Sequence, residues 1–93
     1  VLGLELKEIN RDLMQKYNID EDDGKIVVVS VDVNSEAADK GLVEGDVIKR
    51  VGTQQVSSLK EFKKKEKSSR KRGSLLLLVK KNDGSSRFVT LNY

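Results

Sequence analysis

Leu2, Leu4 and Leu6 alternate with Gly3, Glu5 and Lys7, the period-two pattern of a half-buried strand. Asn10 stands where an N-cap belongs, predicting a short helix over 11–17 with Leu13 and Met14 turned inward. Residues 20–24 form a polar turn, and the Val- and Ile-rich run over 25–33 reads as a central strand. Asn34 and Ser35 open a helix of one to two turns ending at Lys40, with Gly41 placed for a left-handed C-cap. Gly45 makes the next turn, and 46–51 is a strand. Ser57 and Ser58 cap a third helix that starts at Leu59 and is expected to dissolve into a charged linker over 67–73. Residues 74–81 and 86–92 read as strands joined by Asn82-Asp83-Gly84, a hairpin signal. With a short piece at 55–56, the pattern gives about six strands and two to three helices. Strands lead without βαβ alternation. The fold class is mainly β: a small, partly open antiparallel barrel with short helices packed on it.

Composition narrows the chemistry. Ninety-three residues suffice for one domain. Of the 34 apolar residues, 27 are Leu, Val or Ile, which supplies an aliphatic core and excludes wholesale disorder. The absence of Cys and His removes disulfides, Cys/His zinc sites and any Ser-His or Cys-His catalytic pair. The longest apolar run, residues 75–79, is too short to cross a membrane. The chain begins at Val1 and carries no signal-peptide pattern, so we expect a domain excised from a longer protein. Net charge is +3 but lopsided: residues 1–56 sum to −5 and residues 57–93 to +8. Such a dipole bears on partners rather than on fold.

Three clusters invite chemical readings. An EF-hand loop started at Asn18 places Asp20 and Asp22 correctly, but Asp23 falls on the glycine position and Val29 on the final glutamate position. The register fails, so the turn is read as solvated and no metal site is expected. Residues 60–72 hold eight Lys/Arg against two Glu. Without interleaved aromatics beyond Phe62 this reads as a solvent-facing helix rather than a nucleic-acid surface. The carboxylate pairs Asp20/Asp22 and Asp39/Glu44 lie in loops or at helix ends, so no catalytic residue and no cofactor is expected.

The informative constellation is spread over three places: Leu2-Gly3-Leu4-Glu5-Leu6, then the segment 35–48 with Ala37-Ala38, Gly41-Leu42 and Gly45-Asp46-Val47-Ile48, then Val56 to Phe62 and the strand over 75–79. Together these resemble a PDZ domain of the HtrA/Do-like (DegP/DegQ-type) serine protease family, over nearly the whole chain. The resemblance implies a single PDZ domain over 1–93, of the permuted bacterial type, in which the ligand-binding strand leads the chain.

In that family a partner's C-terminus adds as a strand between the first strand and the helix near Leu59. The resemblance therefore implies that Leu2, Leu4 and Leu6 line a pocket and that the N–H groups of Leu2, Gly3 and Leu4 hold the carboxylate. Leu59, Lys63 and Glu66 would face the groove from the helix, Glu5 would lie along it, and Phe62 would enter the core. The implied partners are hydrophobic C-termini or unfolded peptide segments and other domains of the parent protease, with no nucleic acid and no membrane insertion. The implied compartment is the periplasm or cell envelope. The alternative is a structural PDZ that docks neighbouring domains in a protease oligomer and binds no peptide. The chain itself would be non-catalytic.

Overall fold

The computed structural model describes residues 3–20 and 24–93. Six strands and three helices follow in the order β1 (Leu4–Glu8), α1 (Arg11–Tyr17), β2 (Ile26–Val31), α2 (Glu36–Asp39), β3 (Val47–Val51), β4 (Gln54–Gln55), α3 (Leu59–Arg72), β5 (Ser74–Lys80) and β6 (Ser86–Asn92). The strands form one open antiparallel sheet in the order β1-β2-β3-β5-β6, with β4 folded back on β3. β1 and β6 are its two edges.

The sheet has a core on each face. Alternating positions of β2 and β3 divide between them, because successive side chains of a strand point to opposite sides. Ile26, Val28 and Ile48 join Leu75, Leu77, Val79, Leu91 and Phe62 in the main core, beneath α3 and α2. Val27 and Val47 join Ile19 in a smaller core, closed by Leu13, Met14 and Tyr17 of α1. A strand covered on both faces has no polar side to show, which is why the run around Val27 and Val28 is continuously apolar.

Local chemistry sets the helix ends. Asn10 caps α1, its side chain accepting from the Leu13 N–H at 2.8 Å. Ser35 caps α2 and accepts from the Ala38 N–H. At the other end of α2 the Leu42 N–H reaches the Ala37 carbonyl and the Gly41 N–H the Ala38 carbonyl, the paired bonds of a left-handed stop. Gly41 has φ 88°, a conformation that other residues adopt only under strain. Glu36 ties α2 to the end of β6, its carboxylate accepting from the Asn92 backbone N–H at 2.9 Å.

One expectation is overturned. The stretch read as a charged linker over 67–73 is the second half of α3, which continues to Arg72. Its inward stripe simply becomes polar: Phe62 is followed by Glu66 and Ser69, all three buried. Ser69 donates to the Lys65 carbonyl and Glu66 pairs with Arg70, so these polar groups are satisfied within the helix. Arg70, Lys71 and Arg72 stabilise the negative end of the helix dipole, and Gly73 at φ 86° ends it. The centre of the acidic turn, 21–23, lies outside the described residues.

A buried ion pair holds the turn before β3. The Asp46 carboxylate is fully buried, and its Oδ2 accepts from Lys81 Nζ at 2.6 Å and from the Val43 N–H at 3.0 Å. Lys81 also donates to the Gly41 carbonyl, so one cation fastens the β5–β6 hairpin to both ends of the loop between α2 and β3.

Two outcomes follow for stability. Lys81→Met strands the Asp46 charge in the interior and should cost about 3–5 kcal/mol in urea unfolding. Gly41→Val meets no atom within 4 Å of its new Cβ, so its cost is backbone strain alone, about 1 kcal/mol or more. Gly41→Asn should lose less, because Asn tolerates positive φ.

Candidate peptide-binding groove

β1 is paired on one side only, to β2. A strand at a sheet edge leaves alternate backbone N–H and C=O groups directed away from its partner. α3 packs alongside this edge, and its path is fixed at one end by Glu8: the Glu8 carboxylate accepts from the Leu59 N–H at 2.9 Å. That N–H belongs to the first turn of α3, where helix geometry supplies no internal acceptor. Glu8 thereby ties the end of β1 to the start of α3. Sequence reasoning passed over this residue; its signal was a carboxylate two positions beyond Leu6, continuing the Leu4–Leu6 alternation.

Between the two elements lie the residues expected to line a pocket. Leu4 is buried in the main core, and Leu6 and Leu59 are half-buried against it. Glu5, between the two leucines, is exposed. On α3, Leu59, Lys63, Glu66 and Arg70 recur at helical spacing and form one flank. Lys63 is exposed, and Phe62 enters the core with 1% of its surface accessible. Leu2 lies outside the described residues. Gly3 has φ 87°, and a Cβ there would lie 2.2 Å from the Ser35 Cβ. Its glycine is thus required by the fold, for the close approach of β1 to the cap of α2.

Glu66 differs most from its expected place. It is 4% exposed rather than open to the groove, and it pairs with Arg70 at 2.5 Å rather than with Lys63. The Tyr93 hydroxyl donates to the same carboxylate at 2.7 Å, while the Arg70 guanidinium lies over the Tyr93 ring. The contacts run in sequence: Gly3 against Ser35, Glu36 to Asn92, then Tyr93 to Glu66. They gather the start of β1, the cap of α2, the end of β6 and the last turns of α3 at one end of the groove. That end is polar; the stretch between Leu6 and Leu59 is apolar.

The charges there are mutually adjusted. Burial pushes the Glu66 carboxyl up, but the Tyr93 hydroxyl and the Arg70 guanidinium outweigh it and leave the carboxyl below its ordinary 4.5. The Tyr93 hydroxyl is pushed up to about 12 by burial and by its bond to Glu66. A carboxyl with a lowered folded pKa stabilises the fold above its unfolded value and loses that stabilisation as pH falls. A phenol with a raised pKa stabilises below 10 and loses it as pH climbs toward 12. The cluster therefore contributes most between about pH 5 and 10. In a Tyr17→Phe background, absorbance titration should give a Tyr93 midpoint near 12. Adding Glu66→Gln should bring that midpoint back toward 10, and no change would disprove the coupling.

Known proteins share this architecture. A family model described as a PDZ domain matches residues 1–92. The probable periplasmic serine endoprotease DegP-like of Brucella suis is 45% identical over 75 residues, covering 75% of this chain and 14% of its own length. The DegP-like counterpart from Chlamydia muridarum is 32% identical over 90 residues, covering 97% and 18%. The chain thus spans less than a fifth of the length of these curated relatives. Among solved structures, the HtrA-type protease AlgW with a decapeptide superposes with a TM-score of 0.76 at 30% identity, over 99% of this chain and 28% of that one. The HtrA3 PDZ domain bound to a phage-derived ligand gives 0.77 at 21% identity, over 99% and 82%, a likeness of fold. With one face of the sheet under α3, its first described strand at the sheet edge, and 92 of its residues matched, the chain belongs to the PDZ domain family, among the PDZ domains of HtrA/DegP-type serine proteases.

Proposed function

We propose that this domain recognises peptide segments, C-terminal or unfolded, by adding them as a strand to β1 within a longer HtrA/DegP-type serine protease of the periplasm. The observation that carries the reading is the position of β1 as an edge strand of the sheet among the described residues, beside α3 with Leu6 and Leu59 half-exposed between them. An incoming strand gains backbone hydrogen bonds from the edge and side-chain burial from the leucines. The reading is supported by relatives whose own names are those of periplasmic endoproteases and by the peptide bound to AlgW. In it the domain is the non-catalytic unit that presents substrate, and peptide-bond cleavage belongs to another part of the protein.

The roles divide by position. Backbone amides around Leu2, Gly3 and Leu4 receive the peptide carboxylate. Leu4 and Leu6 form the floor, Leu59 the wall, Glu5 lies along the outer side of the edge, and Lys63 meets peptide side chains from above. Glu66 sets the shape of the closed end through Tyr93 and Arg70 instead of meeting the peptide directly. A second reading, in which the domain docks neighbouring domains without binding peptide, is favoured by Phe88 and Leu76. These are 64% and 38% exposed on the part of the sheet that α1 leaves bare.

A peptide ending in Val or Leu with acidic residues upstream should bind with a Kd of tens of micromolar, about −6 kcal/mol. Amide shifts should be confined to β1 and the facing flank of α3. Amidating the peptide terminus should weaken binding, and equal affinity would remove the carboxylate role of the amides. Lys63→Glu should abolish the preference for acidic residues while leaving a neutral peptide's affinity unchanged. The preference should also fade as salt shortens the Debye length from ~10 Å at 0.1 M to ~3 Å at 1 M. Peptides that leave β1 unperturbed would favour the docking reading.

A further inference from the structure

The flank of α3 turned away from β1 borders a second cleft, of about 650 Å³, closed on its other side by the turn between β3 and β4 and by the start of β5. Its charge is of one sign. Lys64, Lys65 and Arg72 line it, and no acidic residue does. The hydroxyl-bearing residues Thr53, Ser68, Ser69 and Ser74 stand among them. Among the described residues the ion pairs are Lys16–Glu44, Arg70–Glu66 and Lys81–Asp46, so none of these three cations has a carboxylate in contact. Glu61, the acid nearest along the helix, is hydrogen-bonded by the Ser57 hydroxyl and N–H, and it feels the charges of Lys65 and Lys64 without pairing with either. Lys65 is anchored instead to the neutral side chain of Gln54, which holds its ammonium at the mouth of the cleft without neutralising it.

Lys64, Ser68 and Arg72 follow one another at intervals of four, a row ~12 Å long along the helix. A concave site walled by low-dielectric protein and lined by one sign of charge concentrates its potential. The guanidinium and ammonium groups donate charge-assisted bonds, and the row is too long for a single small oxyanion to span. We propose that this cleft binds an oligophosphate group, two or more phosphoryl units bridging Lys64, Lys65 and Arg72. It is separate from the peptide groove, which lies on the opposite flank of α3, and does not depend on that reading.

The test uses the folded domain, sodium tripolyphosphate as the probe and amide chemical shifts as the readout. Saturable shifts confined to Thr53, Gln54 and residues 64–74 support the site. Lys64→Gln/Arg72→Gln, both at exposed positions, should weaken the probe about tenfold or more, with peptide binding unchanged and the melting temperature lowered only by the loss of one last-turn cation from the α3 dipole. Vesicles separate the two sources of such a group. Co-sedimentation with phosphatidylcholine vesicles carrying a diphosphate-headgroup lipid, but not with phosphatidylcholine alone, identifies a lipid headgroup. Binding of tripolyphosphate without co-sedimentation identifies a free oligophosphate. The proposal fails if shifts spread evenly over Lys60, Lys63 and Lys67, if the double variant binds as well as the parent, or if no shift occurs at millimolar probe. Lys65→Gln, which leaves the Lys64–Arg72 row in place, gives an independent check, since it should weaken binding by a smaller factor.

Discussion

Val27 and Val28 are neighbours in β2, both fully buried, and they belong to different cores. That requirement organises the molecule. A highly charged chain of 93 residues cannot surround a large interior. It buries its aliphatic side chains on both faces of one sheet instead. α3 and α2 cover one face, α1 covers part of the other, and each helix needs only a narrow apolar contact. α3 illustrates how narrow: one aromatic ring, Phe62, carries the apolar contact of its buried seam, and Glu66 and Ser69 complete it as satisfied polar groups.

The same arrangement creates the groove. Covering β2 and β3 leaves β1 at the margin, with α3 beside it because Glu8 fixes the start of the helix. The two ends of the channel are both tied by carboxylates, Glu8 at one and Glu66 at the other, although they work differently. Glu8 satisfies a helix amide. Glu66 draws the last described residue, Tyr93, and Arg70 onto one carboxylate. What is left between them is a short apolar stretch formed by Leu6 and Leu59.

Much of this was readable in the sequence wherever a single residue determines a local conformation. Asn10, Ser35 and Ser58 cap the helices, Gly41 stops α2, and the Asn82-Asp83-Gly84 turn joins the last two strands. Contacts made by charged side chains over long separations were not readable. Glu8 to Leu59, Asp46 to Lys81 and Glu66 to Tyr93 each join elements far apart in the chain, and nothing near either member marks its partner. The length of α3 was missed for a related reason. Apolar periodicity ends at Phe62, while the helix continues on polar residues bonded to one another and, through Glu66, to Tyr93.

The division into two cores also separates the domain's cooperative units. The smaller core rests on Ile19, Val27 and Val47, and α1 contributes no fully buried residue to it. α1 can therefore open as a sub-global unit while the main core stays intact, a hierarchy that native-state hydrogen exchange reads as early loss of protection. α1 also lies within the chain segment that connects β1 to β2. Such an opening slackens that connection, while the ladder with β2, Leu4 in the main core and the Glu8–Leu59 bond keep β1 seated. The edge strand is thereby joined through the chain to the less deeply packed face of the sheet, opposite α3.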